Sequence, residues 1–258
     1  MDPLNCIKKV SQTTWLIGDL ILHRSNGISA TAAWYDQDQD ASYSVEHAPS
    51  PRPSSVPISP SDPIKLVSMG NSVVWSIGTD TMCKISPYSG DTTPEATTIA
   101  HVRRRKPAFA VPLVLFSAEI NNRSYLFMSK VPGRTLAEAW PTLNGKWKSR
   151  YADKIADICR SLAESKRDHI SGVDGREILN AKDFSPGESG QFVLCHGDLG
   201  LGNIIVEDVP CVGNLGIIDW DKAGYVPGEW IKAQFKDNSM NLPWNESEWG
   251  REVAQRLS

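Results

Sequence analysis

His196-Gly197-Asp198-Leu199-Gly200-Leu201-Gly202-Asn203, followed by Gly216-Ile217-Ile218-Asp219-Trp220-Asp221, decides how this chain is read. The first stretch is an H-x-D-x-x-x-x-N loop, and the second is an apolar run that ends in acid. In that order and spacing the residues suit phosphoryl transfer, a chemistry done mainly by positioning and by neutralising charge. Asp198 would sit where an acceptor hydroxyl approaches and take its proton. Asn203, one short turn later, would offer a carbonyl oxygen to a magnesium ion, and Asp219 would offer a carboxylate to the magnesium that bridges the phosphates. Magnesium binds hard oxygen ligands at about 2.0–2.1 Å and takes most of them from water and phosphate. Two protein ligands at two loop ends therefore suffice.

Outward from the loop the wording becomes more specific. Phe192-Val193-Leu194-Cys195-His196-Gly197-Asp198, Asn203-Ile204-Ile205-Val206 and Ile217-Ile218-Asp219-Trp220 resemble the aminoglycoside phosphotransferase and choline kinase family. Phe127-Met128-Ser129-Lys130-Val131-Pro132-Gly133-Arg134-Thr135-Leu136, with Trp140-Pro141 after it, looks like the hinge of that family's fungal branch. The resemblance spans about residues 64–235 and is strongest over the two catalytic motifs. It implies an α+β, bilobal, protein-kinase-like fold: a small antiparallel-sheet N-lobe with one helix and a mainly helical C-lobe. It also implies ATP and Mg2+ as cofactors and a small-molecule hydroxyl as acceptor. Lys84, on the third strand-like run, corresponds to the lysine that holds the phosphates, and Glu95, on the next helix, to its ion-pair partner. Adenine would bond backbone groups near residues 127–130, which include Met128 and Lys130. His196 is expected to brace the loop through backbone contacts.

The pattern along the chain agrees. Residues 64–68, 72–77 and 81–85 are β-prone runs split by Gly70-Asn71 and Gly78-Thr79-Asp80 turns. A helix capped by Thr92 or Thr93 starts near Pro94-Glu95 and ends before Pro107, with the basic run Arg103-Arg104-Arg105-Lys106 at its C-terminus. Residues 111–118 and 124–129 read as two further strands. Trp147, Tyr151, Ile155, Ile158 and Leu162 recur at helical intervals and predict a core helix. Strands over 203–206 and 215–219 then flank a hairpin at Val212-Gly213-Asn214. Residues 1–62 read as an extension with a Pro/Ser-rich linker, 63–130 as the N-lobe and 131–258 as the C-lobe; residues 1–46 show no clear period.

The remaining features narrow the function. A chain of 258 residues can bury a sizeable core, and a net charge of −3 gives no electrostatic case for nucleic acid. The five cysteines lack a C-x-x-C pair and read as reduced thiols of a cytoplasmic protein, and no apolar run is long enough to span a membrane. Oligomeric state is not readable. Asp221 either shares the face of Asp219 or sits in solvent at a turn. Glu229, Asp237, Glu246 and Glu248 would suit a cationic acceptor, without singling one out. Two departures, the single glycine in Ser68-Met69-Gly70-Asn71-Ser72 and the limited stretch 222–258 after Asp221, keep a non-catalytic pseudokinase as the alternative.

Overall fold

The computed structural model describes residues 6–179, 191–235 and 244–257. By their contacts they form two units, residues 1–89 with 113–130 and residues 90–112 with 131–258.

The first unit is built from two antiparallel sheets. Six strands precede the region of resemblance: β1 (Ile7–Ser11), β2 (Thr14–Ile17), β3 (Leu20–Asn26), β4 (Trp34–Asp36), β5 (Ala41–His47) and β6 (Val56–Pro57), in the order β4-β5-β3-β2-β1-β6. The second sheet holds β7 (Ile64–Met69), β8 (Val73–Ile77), β9 (Thr81–Pro87), β10 (Val114–Ile120) and β11 (Arg123–Ser129), in the order β10-β11-β9-β8-β7. These are the five predicted strands, each within a few residues of its expected bounds.

Residues 6–62, expected as an extension, instead carry a sheet that shares its core with the second one. Trp15, Ile17, Leu20, Leu22, Trp34 and Tyr43 share one core with Ile64, Trp75, Ile77, Cys83, Tyr125 and Phe127 of the second sheet. Trp34 stacks on Tyr43 at 5.1 Å between ring centroids and meets Phe127 at 5.6 Å. Burial of each large apolar side chain is worth about 1.5–3 kcal/mol, so this sheet is part of the unit's hydrophobic core. Three carboxylates add polar ties. Asp36 accepts from the Thr79 main-chain N–H and hydroxyl, both at 2.8 Å. Asp62 accepts from Lys9 at 2.6 Å and from the Trp15 indole at 3.3 Å. Tyr125 donates its hydroxyl proton to Asp19 at 3.0 Å. The Pro/Ser-rich segment links the two sheets, and its end returns as β6 along β1.

The second unit begins with α1 (Glu95–Arg104), which groups by its contacts with residues 131–258 and not with the strands on either side of it in sequence. Its N-cap is Pro94, not a threonine. Thr93 is spent elsewhere: its hydroxyl donates to Asp174 at 2.5 Å and its main-chain N–H to the Glu177 carbonyl at 2.9 Å. The basic run is exposed at the helix C-terminus, as expected. After β12 (Arg134–Thr135) a Thr135/Glu138 capping box starts α2 (Leu136–Ala139). Asn144 then caps α3 (Gly145–Ala163), which buries Tyr151, Ile155, Ile158 and Leu162 as the periodicity predicts, while Trp147, in its first turn, is only half-buried.

Two small sheets follow. One joins β13 (Lys166–Arg167), β14 (Phe192–Cys195) and β17 (Gly224–Pro227); the other joins β12, β15 (Ile204–Val206) and β16 (Leu215–Ile217). The chain continues through α4 (Trp230–Ala233) to α5 (Trp244–Arg256). Trp249 of α5 meets Trp140 edge-on at 5.3 Å, and Arg256 bonds Asp153 of α3.

Candidate active site

The two small sheets form a frame around two facing loops. Residues 196–203 leave β14 and enter β15, while residues 218–223 leave β16 and enter β17. One end is closed by the Cys195–Gly224 pair of β14 and β17, the other by the Ile204–Ile217 pair of β15 and β16. All eight residues of β14 and β17 are buried, as are those of β15 and β16, so both loops rise from a rigid apolar floor. Burial pushes the Cys195 thiol up to about 11, which makes it part of that floor and not a nucleophile.

Hydrogen bonds stitch the loops together between their ends. His196 is 1 % exposed and stands over Trp220 at 4.6 Å. Its Nε2 lies 3.0 Å from the Ile218 carbonyl, and its Nδ1 accepts from the Asp198 N–H at 3.3 Å. Nε2 therefore carries the proton that is donated to Ile218, and the ring joins one loop to the other. The Ile218 N–H also donates to the Asn203 carbonyl at 3.0 Å. Gly197 makes the close approach possible. Its φ is +81°, and a Cβ there would lie 2.5 Å from the Lys222 carbonyl oxygen.

Each predicted residue of this unit has a definite setting. Asp198 is half-exposed at the loop, and its Oδ2 accepts from Lys222 Nζ at 2.9 Å. The Asn203 amide nitrogen donates to the Asp198 carbonyl at 2.7 Å, which fixes the side chain and leaves Oδ1 as the acceptor of the same amide. Asp219 follows the end of β16 at φ +66°, a left-handed conformation that Asp tolerates better than most residues. The strand predicted to reach Asp219 stops at Ile217 because this turn breaks the pleat.

Glu95 is 7 % exposed, and its Oε1 accepts from the Trp220 main-chain N–H at 2.9 Å. Glu95, Asp219 and Asp221 can each present an oxygen such that all three lie within 4.8 Å of one another. Asp221 is thus a half-buried member of an acidic trio and not a solvent-facing turn residue. This donor set is all hard oxygen, the kind that fits a magnesium ion, and like charges gathered this closely favour a cation. Partial burial alone would lower the Lys222 ammonium, yet Asp198, with Asp221 and Asp219 beyond, holds it above the ordinary lysine range. No sequence motif marks Lys222; its one signal there is its position at the return of the 218–223 loop into β17.

The first unit holds the other predicted residues. Lys84 lies on β9, 4 % exposed, between Val74 of β8 and Leu126 of β11. Met128 is buried on β11. Lys130 is exposed, and its N–H donates to the Asp80 carbonyl at 2.5 Å. Gly70 sits in the tight β7–β8 hairpin, where its N–H donates to the Ser72 carbonyl. Of the four acids considered for a cationic acceptor, Glu248 is 3.5 Å from Lys148 and Glu229 is exposed at the start of α4. Asp237 and the Glu246 side chain lie outside the described residues. No helix among the described residues is long and apolar enough to cross a membrane.

Comparison with known proteins agrees with this frame. The sequence model of the phosphotransferase enzyme family matches residues 175–227, the segment that carries both loops. A search of curated proteins finds no significant match. Among solved structures, the ternary complex of the aminoglycoside phosphotransferase APH(2'')-IIa with streptomycin and ATP superposes with a TM-score of 0.53 at 15% identity, covering 75% of this chain and 76% of that one. APH(3'')-Id from Streptomyces rimosus gives 0.47 at 17% identity over 76% of this chain and 94% of its own. The first of these structures meets the expected kinase-like fold.

Proposed function

We propose that this chain, which belongs to the aminoglycoside phosphotransferase and choline kinase family, transfers the γ-phosphoryl group of ATP to a hydroxyl of a small molecule. One observation carries the reading: the frame that brings Asp198, Asn203 and Asp219 together on two clamped loops. In this account Asp198 accepts the acceptor proton. Asn203 and Asp219 would hold magnesium, with Asp221 and Glu95 beside Asp219 in the trio. Magnesium, when bound, neutralises charge on the phosphates. Lys84 supplies a buried cation for the triphosphate, and the segment that includes Met128 and Lys130 supplies adenine contacts.

The acceptor oxygen forms a bond to the γ-phosphorus with its lone pair. The bond from that phosphorus to the β–γ bridging oxygen breaks, and its electron pair leaves on ADP. The acceptor proton goes to Asp198. The protein's share of the work is alignment and charge compensation, which suits a rigid frame.

Family membership names the donor chemistry, while the acceptor is a separate matter. The neighbours' streptomycin is not carried over to this chain: Glu248 is engaged by Lys148, and a lysine stands on Asp198. A non-catalytic relative that binds nucleotide is the second reading, favoured by the single glycine in the β7–β8 hairpin. Acceptor-dependent ADP release, screened over amino alcohols, sugars and other small alcohols with magnesium and ATP, separates the two. Release that rises with one acceptor class supports the enzyme, and none above the rate with water supports the binding protein.

A further inference from the structure

Asp198 has two carboxylate oxygens, and only one can meet the acceptor. Lys222 Nζ donates to Oδ2 at 2.9 Å. We propose that Lys222 is a positioning residue for the transfer: its ammonium holds Oδ2 so that Oδ1 is the oxygen turned to the acceptor hydroxyl. This rests on the reading of Asp198 as the proton acceptor.

Exposed lysine–carboxylate pairs are often incidental. Three features set this one apart. The root of Lys222 is fixed, because Gly197 packs against its carbonyl so closely that a Cβ would lie 2.5 Å away. The next residue, Ala223, is 2 % exposed and donates to the Trp220 carbonyl at 3.2 Å, after which β17 begins at Gly224 opposite Cys195. Lys222 therefore starts from the same strand pair that launches the catalytic loop, and its side chain spans only the gap between the loops.

The second feature is charge. The ammonium pairs with Asp198 on one loop, and its own loop carries Asp219 and Asp221. A cation there offsets repulsion between the acid that takes the proton and the acids assigned to metal. The third feature is geometry. The terminal torsion of Asp is broad and roughly two-fold, so a carboxylate with no partner samples orientations freely. An ion pair to one oxygen removes that freedom, and misplacing a reacting group by about 1 Å can cost about 10²-fold in rate. Lys222 itself gains and loses no proton in the step: the acceptor proton ends on Asp198 Oδ1, and the departing electron pair ends on ADP.

The test uses the full chain with magnesium and ATP, offering glycerol and water as acceptors, and compares wild type with Lys222→Met and Lys222→Arg. Met keeps the apolar stem and removes the charge; Arg keeps a cation with several donors. The expected result is a fall in kcat of about 10–100-fold for Lys222→Met, with KM for ATP changed by no more than about twofold. Lys222→Arg should recover most of the loss, and all three proteins should melt alike. Unchanged kcat in Lys222→Met overturns the proposal, and so does a rise in KM for ATP at constant kcat, which would make Lys222 a nucleotide contact. Equal loss in both variants with a lowered melting temperature also overturns it, by assigning a structural role. A wild-type chain that transfers to neither acceptor overturns the reading of the site itself, and this inference with it.

Discussion

Glu95 and Trp220, 125 residues apart, are joined by a hydrogen bond from the Trp220 main-chain N–H to Glu95 Oε1 at 2.9 Å. The bond ties α1 to the loop that carries Asp219. Both residues are buried, so removing the acceptor strands a donor that water cannot reach. Glu95→Ala should cost about 1–3 kcal/mol, the price of an unsatisfied buried group. Glu95→Gln keeps an oxygen at the same reach and should cost less. Urea unfolding of both variants checks this; equal losses would mean that the charge of Glu95, and not its bond to Trp220, is what the fold uses.

Asp219 holds φ +66°, which Asn also tolerates. Asp219→Asn is therefore a clean test of the carboxylate, because the backbone need not change. Magnesium with ATP should raise the melting temperature of the wild type; a ligand at 100 times its Kd stabilises by about 2.7 kcal/mol. The variant should lose most of that shift and keep its own unliganded melting temperature. A shift of equal size with and without magnesium would contradict the assignment.

Gly197→Ala should be damaging on two counts, the positive φ of 81° and the 2.5 Å approach of the new Cβ to the Lys222 carbonyl. Strain of this kind costs about 1–3 kcal/mol. The loops must part to relieve it, so turnover should fall together with stability. Denaturation midpoints and kcat measured on the same preparation test the coupling, and a variant as stable and active as wild type would refute the close packing.

The first unit should be sensitive to acid. Burial alone would raise the Asp62 carboxyl, but Lys9, the Ser59 N–H and the Trp15 indole outweigh it and hold it below its ordinary 3.8. Its stabilisation is thus complete above about pH 4 and is lost as pH falls through the lower folded value. Asp36, held by Thr79 and Gln39, shifts the same way. Asp62→Asn should lower stability at pH 7 by about 1–3 kcal/mol and flatten the loss between pH 4 and lower values. Stability curves against pH for both proteins decide this; parallel curves would count against it.

What could be read from sequence was what lies close together in it. Asp198 and Asn203 share one loop, Asp219 follows an apolar run, and α3 shows its buried face through regular spacing. The sheet of residues 7–57 was not readable in that way. Its strands are short, and the partners that give Trp15, Trp34 and Tyr43 their meaning lie on β8, β9 and β11. Its acids likewise have partners far off in sequence, Thr79 for Asp36 and Trp15 for Asp62. The Glu95–Trp220 bond and the Lys222–Asp198 pair are invisible for the same reason: spacing carries no record of which distant residues the frame brings face to face. The position of α1 shows the same limit, since strands flank it in sequence while Glu95 at its start bonds Trp220.

The central claim is that Asp198 serves transfer to a hydroxyl. The most direct measurement is the movement of labelled γ-phosphate from magnesium–ATP to a small alcohol, by wild type and by Asp198→Asn, with ATP binding measured on both. The account predicts acceptor-dependent transfer by the wild type, a loss of about 10²–10⁴-fold in the variant, and similar ATP affinity in the two. Labelled product formed equally by both proteins, or no acceptor-dependent product from the wild type, would contradict it.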